Sequence, residues 1–321
     1  MKKVDLKDRK ILYQLDINSR QSFSQIGKKV GLNRAIIASR VKKLQERGII
    51  LNFSTNFDYL KLGFISLRFY FKYQYVTHEI KKEIIDYFVK SKYSIIVFSL
   101  EGSYDLLVLV LVKNISDIYS FWKKTLQKYG KYFAQRVYSN YVGESIYRKS
   151  FLIDKEDNRT EFILKRGGKK VDYDNVDFQI LKLLTDNARI PTIEIARKLN
   201  LTTKTINERI KRLIKSGIIL QFDITIDWSK LGYEFFKIDF YLREYSKINQ
   251  IVRYIGMNPN LVYVDYTIGY ADLELEFYLR NIAQLHQIVE DLFKKFPSSI
   301  KNYTYFTNIE QHKSFNLSLP I

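Results

Sequence analysis

Two short runs hold the side chains best suited to grip a phosphodiester backbone and read base edges. The first contains Asn33, Arg34, Ser39, Arg40, Lys42 and Lys43. The second contains Thr202, Thr203, Lys204, Asn207, Arg209 and Lys211. Guanidinium and carboxamide groups can form two-pronged hydrogen bonds with bases, whereas lysine ammoniums mostly anchor phosphates. Arg34, Asn33, Asn207 and Ser39 are therefore the better candidates for reading sequence. Arg40 and Arg209 each sit one residue before a position expected to be buried, so a structural salt bridge rivals phosphate contact there. Double-stranded DNA is the partner these residue types suggest.

Other chemistry is sparse. The 321 residues include no cysteine and three histidines, His78, His286 and His312, which excludes thiolate metal sites and leaves little for imidazole catalysis. No HExxH or GxSxG motif occurs, and Gly167-Gly168-Lys169-Lys170 lacks the spacing of a phosphate-binding loop. The expectation is a protein that is not an enzyme, with no catalytic residue, metal or cofactor. Charge points the same way as the two runs: 53 Lys and Arg against 34 Asp and Glu give +19. Residues 1–168 hold 32 of those cations against 16 acids, so the excess lies mostly in the first half. The longest apolar run, Leu106 to Val112, is far short of the roughly 20 residues of a membrane helix. No apolar stretch follows the lysines at Met1–Leu6, so no signal peptide is expected and the location is expected to be cytoplasmic.

The chain repeats itself. A shift of 169 positions aligns Asp5–Gly63 with Asp174–Gly232 at 23 identities in 59 positions, without a gap. Within each copy the spacing predicts three helices. Asp5 caps the first, which buries Ile11, Leu12 and Leu15; Asp174, Ile180, Leu181 and Leu184 repeat the pattern. The second helix carries Ile26 and Val30, or Ile195 and Leu199, and stops at Gly31-Leu32-Asn33 or Asn200-Leu201-Thr202. The third runs from about Arg34 to Arg47, with Ile37, Val41 and Leu44 inward. Ile49–Phe57 is expected to form a short two-stranded wing. A helix–turn–helix of this kind can place its third helix in the major groove.

The run Asn18-x-Arg20-x-Ser22, Ile26-Gly27, Gly31-Leu32-Asn33, Arg40-Val41-Lys42-Lys43-Leu44 and Gly48-Ile49-Ile50 resembles the winged helix–turn–helix of the Lrp/AsnC transcriptional regulators. Gly102-Ser103-Tyr104-Asp105 is similar to that family's effector-domain turn, and Gly269-x-x-Asp272 answers it in copy two. The resemblance implies a regulator in which one chain mimics a dimer and an amino acid sits near Gly102, Tyr104 and Asp105, with Gly269 and Asp272 as the second set. Copy two departs in having Pro191 for Ser22 and Ala271 for Tyr104. A turn-stabilising role for Asp105 is the alternative. Siroheme decarboxylases share the tandem architecture, but Ser94–Val112 and Leu261–Leu279 contain no histidine and only acidic charges, unlike the arginine- and histidine-rich hairpin of those enzymes. An effector-independent architectural DNA binder is a further alternative.

The expected fold is α+β, two copies of a winged helix–turn–helix followed by a ferredoxin-like βαββαβ domain. The domains are 1–63, 64–153, an exposed linker at 154–170, 171–232 and 233–321. The resemblance implies sheets that pair face to face, here within one chain, with homo-oligomers a further expectation. Leu106–Val112 has no polar face, so both its faces must be covered, most simply by a second sheet. Copy two alternates instead, which gathers Asp239, Glu274 and Glu276 on one face with Asp265 nearby. Three readings compete for that acidic set: a solvated face, a hard-cation site, or a surface that pairs with Arg68, Tyr70 and Lys72 of copy one.

Overall fold

The protein is described by a computed structural model covering residues 4–153 and 163–314. The first nine residues of the expected linker, 154–162, lie outside the described residues. Helices α1 (Leu6–Ile17), α2 (Phe23–Val30) and α3 (Arg34–Glu46) form where the spacing predicts. Asp5 accepts the amide of Asp8, and Ser22 and Gln25 close a reciprocal capping box on α2. Gly31 ends α2 at φ +71, the left-handed region glycine enters freely. Strands β1 (Ile50–Phe57) and β2 (Ile65–Tyr73), helix α4 (His78–Lys90), β3 (Ser94–Gly102), β4 (Leu106–Val112), α5 (Ile115–Tyr129) and β5 (Phe133–Tyr147) follow.

A short strand β6 (Ile163–Arg166) then precedes a second round of the same elements. These are α6 (Asn175–Asp186), α7 (Thr192–Leu199), α8 (Thr203–Lys215), β7 (Ile219–Ile226), β8 (Glu234–Leu242), α9 (Ile248–Ile255), β9 (Leu261–Ile268), β10 (Leu273–Leu279), α10 (Ile282–Lys295) and β11 (Ile300–Lys313). Among the described residues no helix is long and apolar enough to cross a membrane.

Three expectations about assembly are corrected. The wing does not form a hairpin of its own: β1 pairs antiparallel with β7, so each copy completes the other's wing. The two sheets do not stack face to face. Strands β2, β4, β3, β11, β8, β10, β9 and β5 are hydrogen-bonded in that order, and β5 returns to β2, closing an eight-stranded barrel. Every sheet edge that would have stayed open is thereby paired, at β3–β11 and β5–β9. Finally, the C-terminal part of the expected linker is not free: β6 pairs with β5, and Arg166 contacts Glu144 at 3.2 Å.

Helices lie outside the barrel. Ile84, Phe88 and Phe121 pack on Phe69, Phe71 and Val108, while Ile251, Leu285 and Leu292 pack on Ile238, Phe240 and Leu275. The whole of β4 is buried, but the cover differs from a second sheet. Leu109 and Leu111 pack in one cluster with Ile180, Leu184 and Ile206 of the second helical unit. The first helical unit reciprocates, with Ile37 and Leu44 clustered with Ile224, Ile226, Tyr233 and Val262. Helical units thus dock across the copies rather than along the chain.

Candidate nucleic-acid interface and barrel interior

The N-caps of α3 and α8 set both recognition helices. Asn33 Oδ1 accepts the amide of Ile36 at 2.9 Å, and Thr202 Oγ1 accepts that of Thr205 at 3.1 Å. Burial of Ile37, Val41 and Leu44 leaves Asn33, Arg34, Ser39, Lys42 and Lys43 exposed on one helix. On α8, Ile206, Ile210 and Leu213 face inward while Thr202, Lys204, Asn207 and Lys211 are exposed and Thr203 is half-buried. The structure therefore brings the expected residues to two solvent-facing surfaces. Arg40 and Arg209 are turned elsewhere. Arg40 Nη1 donates to Asp5 and Asp8 at 2.8 and 2.7 Å, and Arg209 Nη1 to Asp174 and Asp177 at 2.7 and 3.0 Å. Both arginines tie the third helix to the first.

The two helical units form a clasped pair. Arg20 Nη1 donates to the carbonyls of Ala188 and Ile190 at 2.6 and 3.1 Å; Arg189 Nη1 donates to those of Ser19 and Gln21. Arg20 lies over Phe222, and Arg189 over Phe23. Lys61 reaches the carbonyl of Ser216 at 3.2 Å, and Lys230 those of Arg47 and Gly48 at 3.1 Å. Arg20 and Arg189 stand 169 positions apart, at matching positions of the repeat, and neither residue type nor spacing suggested a role for them. The signal was the pairing itself, since a reciprocal contact requires the same residue twice.

The turn residues are occupied by their own chain. Asp105 accepts Lys72 Nζ at 2.9 Å and the amide of Tyr73 at 2.7 Å, and Asp272 accepts the amide of Leu242 at 2.7 Å. Gly102 takes φ +122 and Gly269 φ +100 at these turns. Tyr104 is buried against Tyr70, 5.3 Å between ring centroids.

The acidic set is neither solvated nor empty of partners. Register places Glu274 opposite both Asp239 and Asp265, three carboxyls abreast across adjacent strands inside the barrel. Arg68 from copy one reaches Asp265 and also Glu274, the latter at 3.3 Å. Lys237, unremarked in the sequence although it shares a face with Asp239, lies 2.6 Å from both Asp265 and Glu274. Lys72, expected beside Arg68, goes to Asp105 instead. Among the described residues no cluster of His, Cys, Asp or Glu is arranged to hold a metal ion. Burial, and then the neighbouring Glu274 charge, push the Asp239 carboxyl up to about 8. Burial and Asp265 push Glu276 up to about 8. Against its own burial, Asp265 is held well below the ordinary carboxylate range by Arg68 and Lys237.

Residues 4–45 match the AsnC-type helix-turn-helix domain, and residues 173–219 match a winged helix-turn-helix DNA-binding domain. HTH-type transcriptional regulator LrpB of Bacillus subtilis is 35% identical over 83 residues, 26% of this chain and 56% of that protein. HTH-type transcriptional regulator Ptr1 of Methanocaldococcus jannaschii is 30% identical over 139 residues, 42% of this chain and 82% of that protein. Several curated relatives, LrpB among them, are spanned over only 56% to 64% of their length. Among solved structures, the siroheme decarboxylase NirDL covers 97% of this chain and 93% of its own, at a TM-score of 0.66 and 13% identity. That likeness is one of fold. It nevertheless corrects the expectation of a non-enzyme, because the architecture along nearly the whole chain is one that an enzyme uses, so missing motifs exclude nothing. With AsnC-type helices at its start and most of Ptr1 matched, the chain belongs to the Lrp/AsnC family of helix-turn-helix regulators.

Proposed function

We propose that this chain is a sequence-reading DNA-binding transcriptional regulator that works as an intrachain pseudo-dimer. One observation carries the reading: two recognition helices with exposed polar faces belong to units clasped by β1–β7 and by reciprocal arginines. Arg34, Asn33, Ser39 and Asn207 read base edges; Lys42, Lys43, Lys204 and Lys211 hold phosphates. Arg40 and Arg209 orient the helices from behind. Two spaced half-sites in an imperfect palindrome are the expected target. Selection of bound DNA with the full chain, repeated across salt, tests this: affinity that varies with salt but not with sequence supports an architectural binder instead. An amino-acid effector at Gly102–Asp105 would have to displace Lys72 from Asp105, and an amino-acid titration that changes operator affinity supports it.

A second reading, small-molecule chemistry in the barrel, is favoured by the fold shared with NirDL along 97% of this chain. Addition of siroheme and a search for a spectral shift tests it.

A further inference from the structure

One six-residue pattern occurs in each copy, outside the recognition helices. Asp58-x-x-Lys61-Leu62-Gly63 and Asp227-x-x-Lys230-Leu231-Gly232 stand 169 positions apart. Each fills the step from a ribbon strand to a barrel strand, between β1 and β2 or between β7 and β8. Gly63 at φ +83 and Gly232 at φ +73 make the turn that leads into the barrel.

Both patterns reach across to the other copy. The amide of Asp58 donates to the carbonyl of Ile218 at 2.7 Å, and that of Asp227 to the carbonyl of Ile49 at 2.9 Å. Ile218 and Ile49 stand just past the ends of recognition helices α8 and α3. Lys61 Nζ donates to the carbonyl of Ser216, the C-cap of α8, at 3.2 Å. Lys230 Nζ donates to the carbonyls of Arg47, the C-cap of α3, and Gly48, both at 3.1 Å. Asp227 stands 3.4 Å from the same ammonium. Apolar neighbours follow the same crossing. Tyr59 and Leu62 share a buried cluster with Ile206, Ile210 and Leu213 of α8. Trp228 and Leu231 pack against the cluster that holds Ile37, Val41 and Leu44 of α3.

The last carbonyls of a helix lack partners within it and carry the negative end of its dipole. A lysine ammonium suits both conditions. The glycine after each cap makes room for it. Gly48 and Gly217 take φ +62 and +72, and a Cβ on either would run into the ammonium of Lys230 or Lys61. Each cation is thus seated in the helix end.

We propose that Lys61 and Lys230 are positioning residues: each holds the end of the opposite copy's recognition helix, and together they set the spacing of the two DNA-reading surfaces. The spacing rests on the DNA-binding function proposed above, whereas the crossed capping does not. Strands β2 and β8 begin at Ile65 and Glu234, directly after these turns. Each half of the barrel is therefore tied to the reading helix of the other copy.

Hydrogen exchange of the full chain, without DNA, tests the capping. Lys230→Met keeps an unbranched side chain and removes its donor. It should speed exchange of the Arg47, Gly48 and Ile49 amides, which close α3, about threefold. The Ser216 and Gly217 amides, which close α8, should exchange as in the parent. Lys61→Met should do the converse, and Lys→Arg at either position should restore protection. Should one methionine variant fail to fold, the other decides through the opposite helix. Binding to DNA libraries that carry two half-sites at varied spacing gives the second readout. The double methionine variant should lose about threefold of the parent's preference for its best spacing, with affinity for a single half-site unchanged. The proposal is overturned if exchange quickens in the mutated copy's own helix or not at all, or if the spacing preference persists in the double variant. A parent chain with no preferred spacing refutes the pseudo-dimer reading instead, and exchange alone then decides the capping.

Discussion

Arg40 and Lys42 stand two positions apart on α3, yet the surroundings give them opposite duties. Arg40 is caught between Asp5 and Asp8, whereas the Lys42 side chain is 79% exposed, with Glu46 at 3.8 Å. Arg40→Ala should cost about 1 kcal/mol of stability in urea unfolding, since it removes charge-assisted hydrogen bonds that are only half shielded. Lys42→Ala should leave the unfolding midpoint unchanged and lower the salt slope of DNA binding by about one. The reverse pattern would assign both residues wrongly. Lys237 presents a harder case. At 2% exposure it sits between Asp265 and Glu274, so Lys237→Met strands carboxylates in the barrel. A loss of about 3–5 kcal/mol at pH 7 is expected. It should shrink at pH 5, where the stranded carboxyls can take protons.

Helices were legible because every one of their signals is local. Asp5, Ser22, Asn33 and Thr202 cap as their side chains dictate, and apolar spacing chose the buried faces. Strands gave up less. Alternation in Leu273–Leu279 fixed which side chains point together, and one of the three readings of the acidic set paired it with Arg68, yet alternation says nothing about which strand lies alongside. Pairing of β1 with β7, 169 residues away in the repeat, is a long-range choice that leaves each strand's own pattern untouched. For the same reason the closed barrel read as two open sheets, and β6 read as linker. At this scale the arginine clasp decides whether the helical units act as one. Arg20→Ala with Arg189→Ala should speed hydrogen exchange of the β1–β7 amides. The same pair should weaken binding to a two-half-site DNA more than to a single half-site, because a loosened pair loses its effective concentration. Equal weakening on both DNAs would show that the clasp does not set spacing.

Across the whole molecule, the buried carboxyls give stability a pH dependence whose direction follows from their environment. Asp239 and Glu276 are pushed up to about 8, and Asp223, buried near Asp16 though beside Lys149, up to about 7. Each such group holds a proton in the folded state that it releases on unfolding once pH exceeds about 4. Its contribution is therefore fully present below that value, declines as pH rises and is gone above about 8. Asp265 runs the other way: held low by Arg68 and Lys237, it contributes above about pH 4 and loses that contribution only in strong acid. The urea midpoint should consequently fall from pH 5 to pH 8.5 and level off beyond. Asp239→Asn with Glu276→Gln replaces the protonated carboxyls by neutral groups of the same shape, so the double variant should flatten the profile. A profile that rises over that range, or that keeps its slope in the double variant, would place the excess acid of the barrel somewhere other than on these two residues.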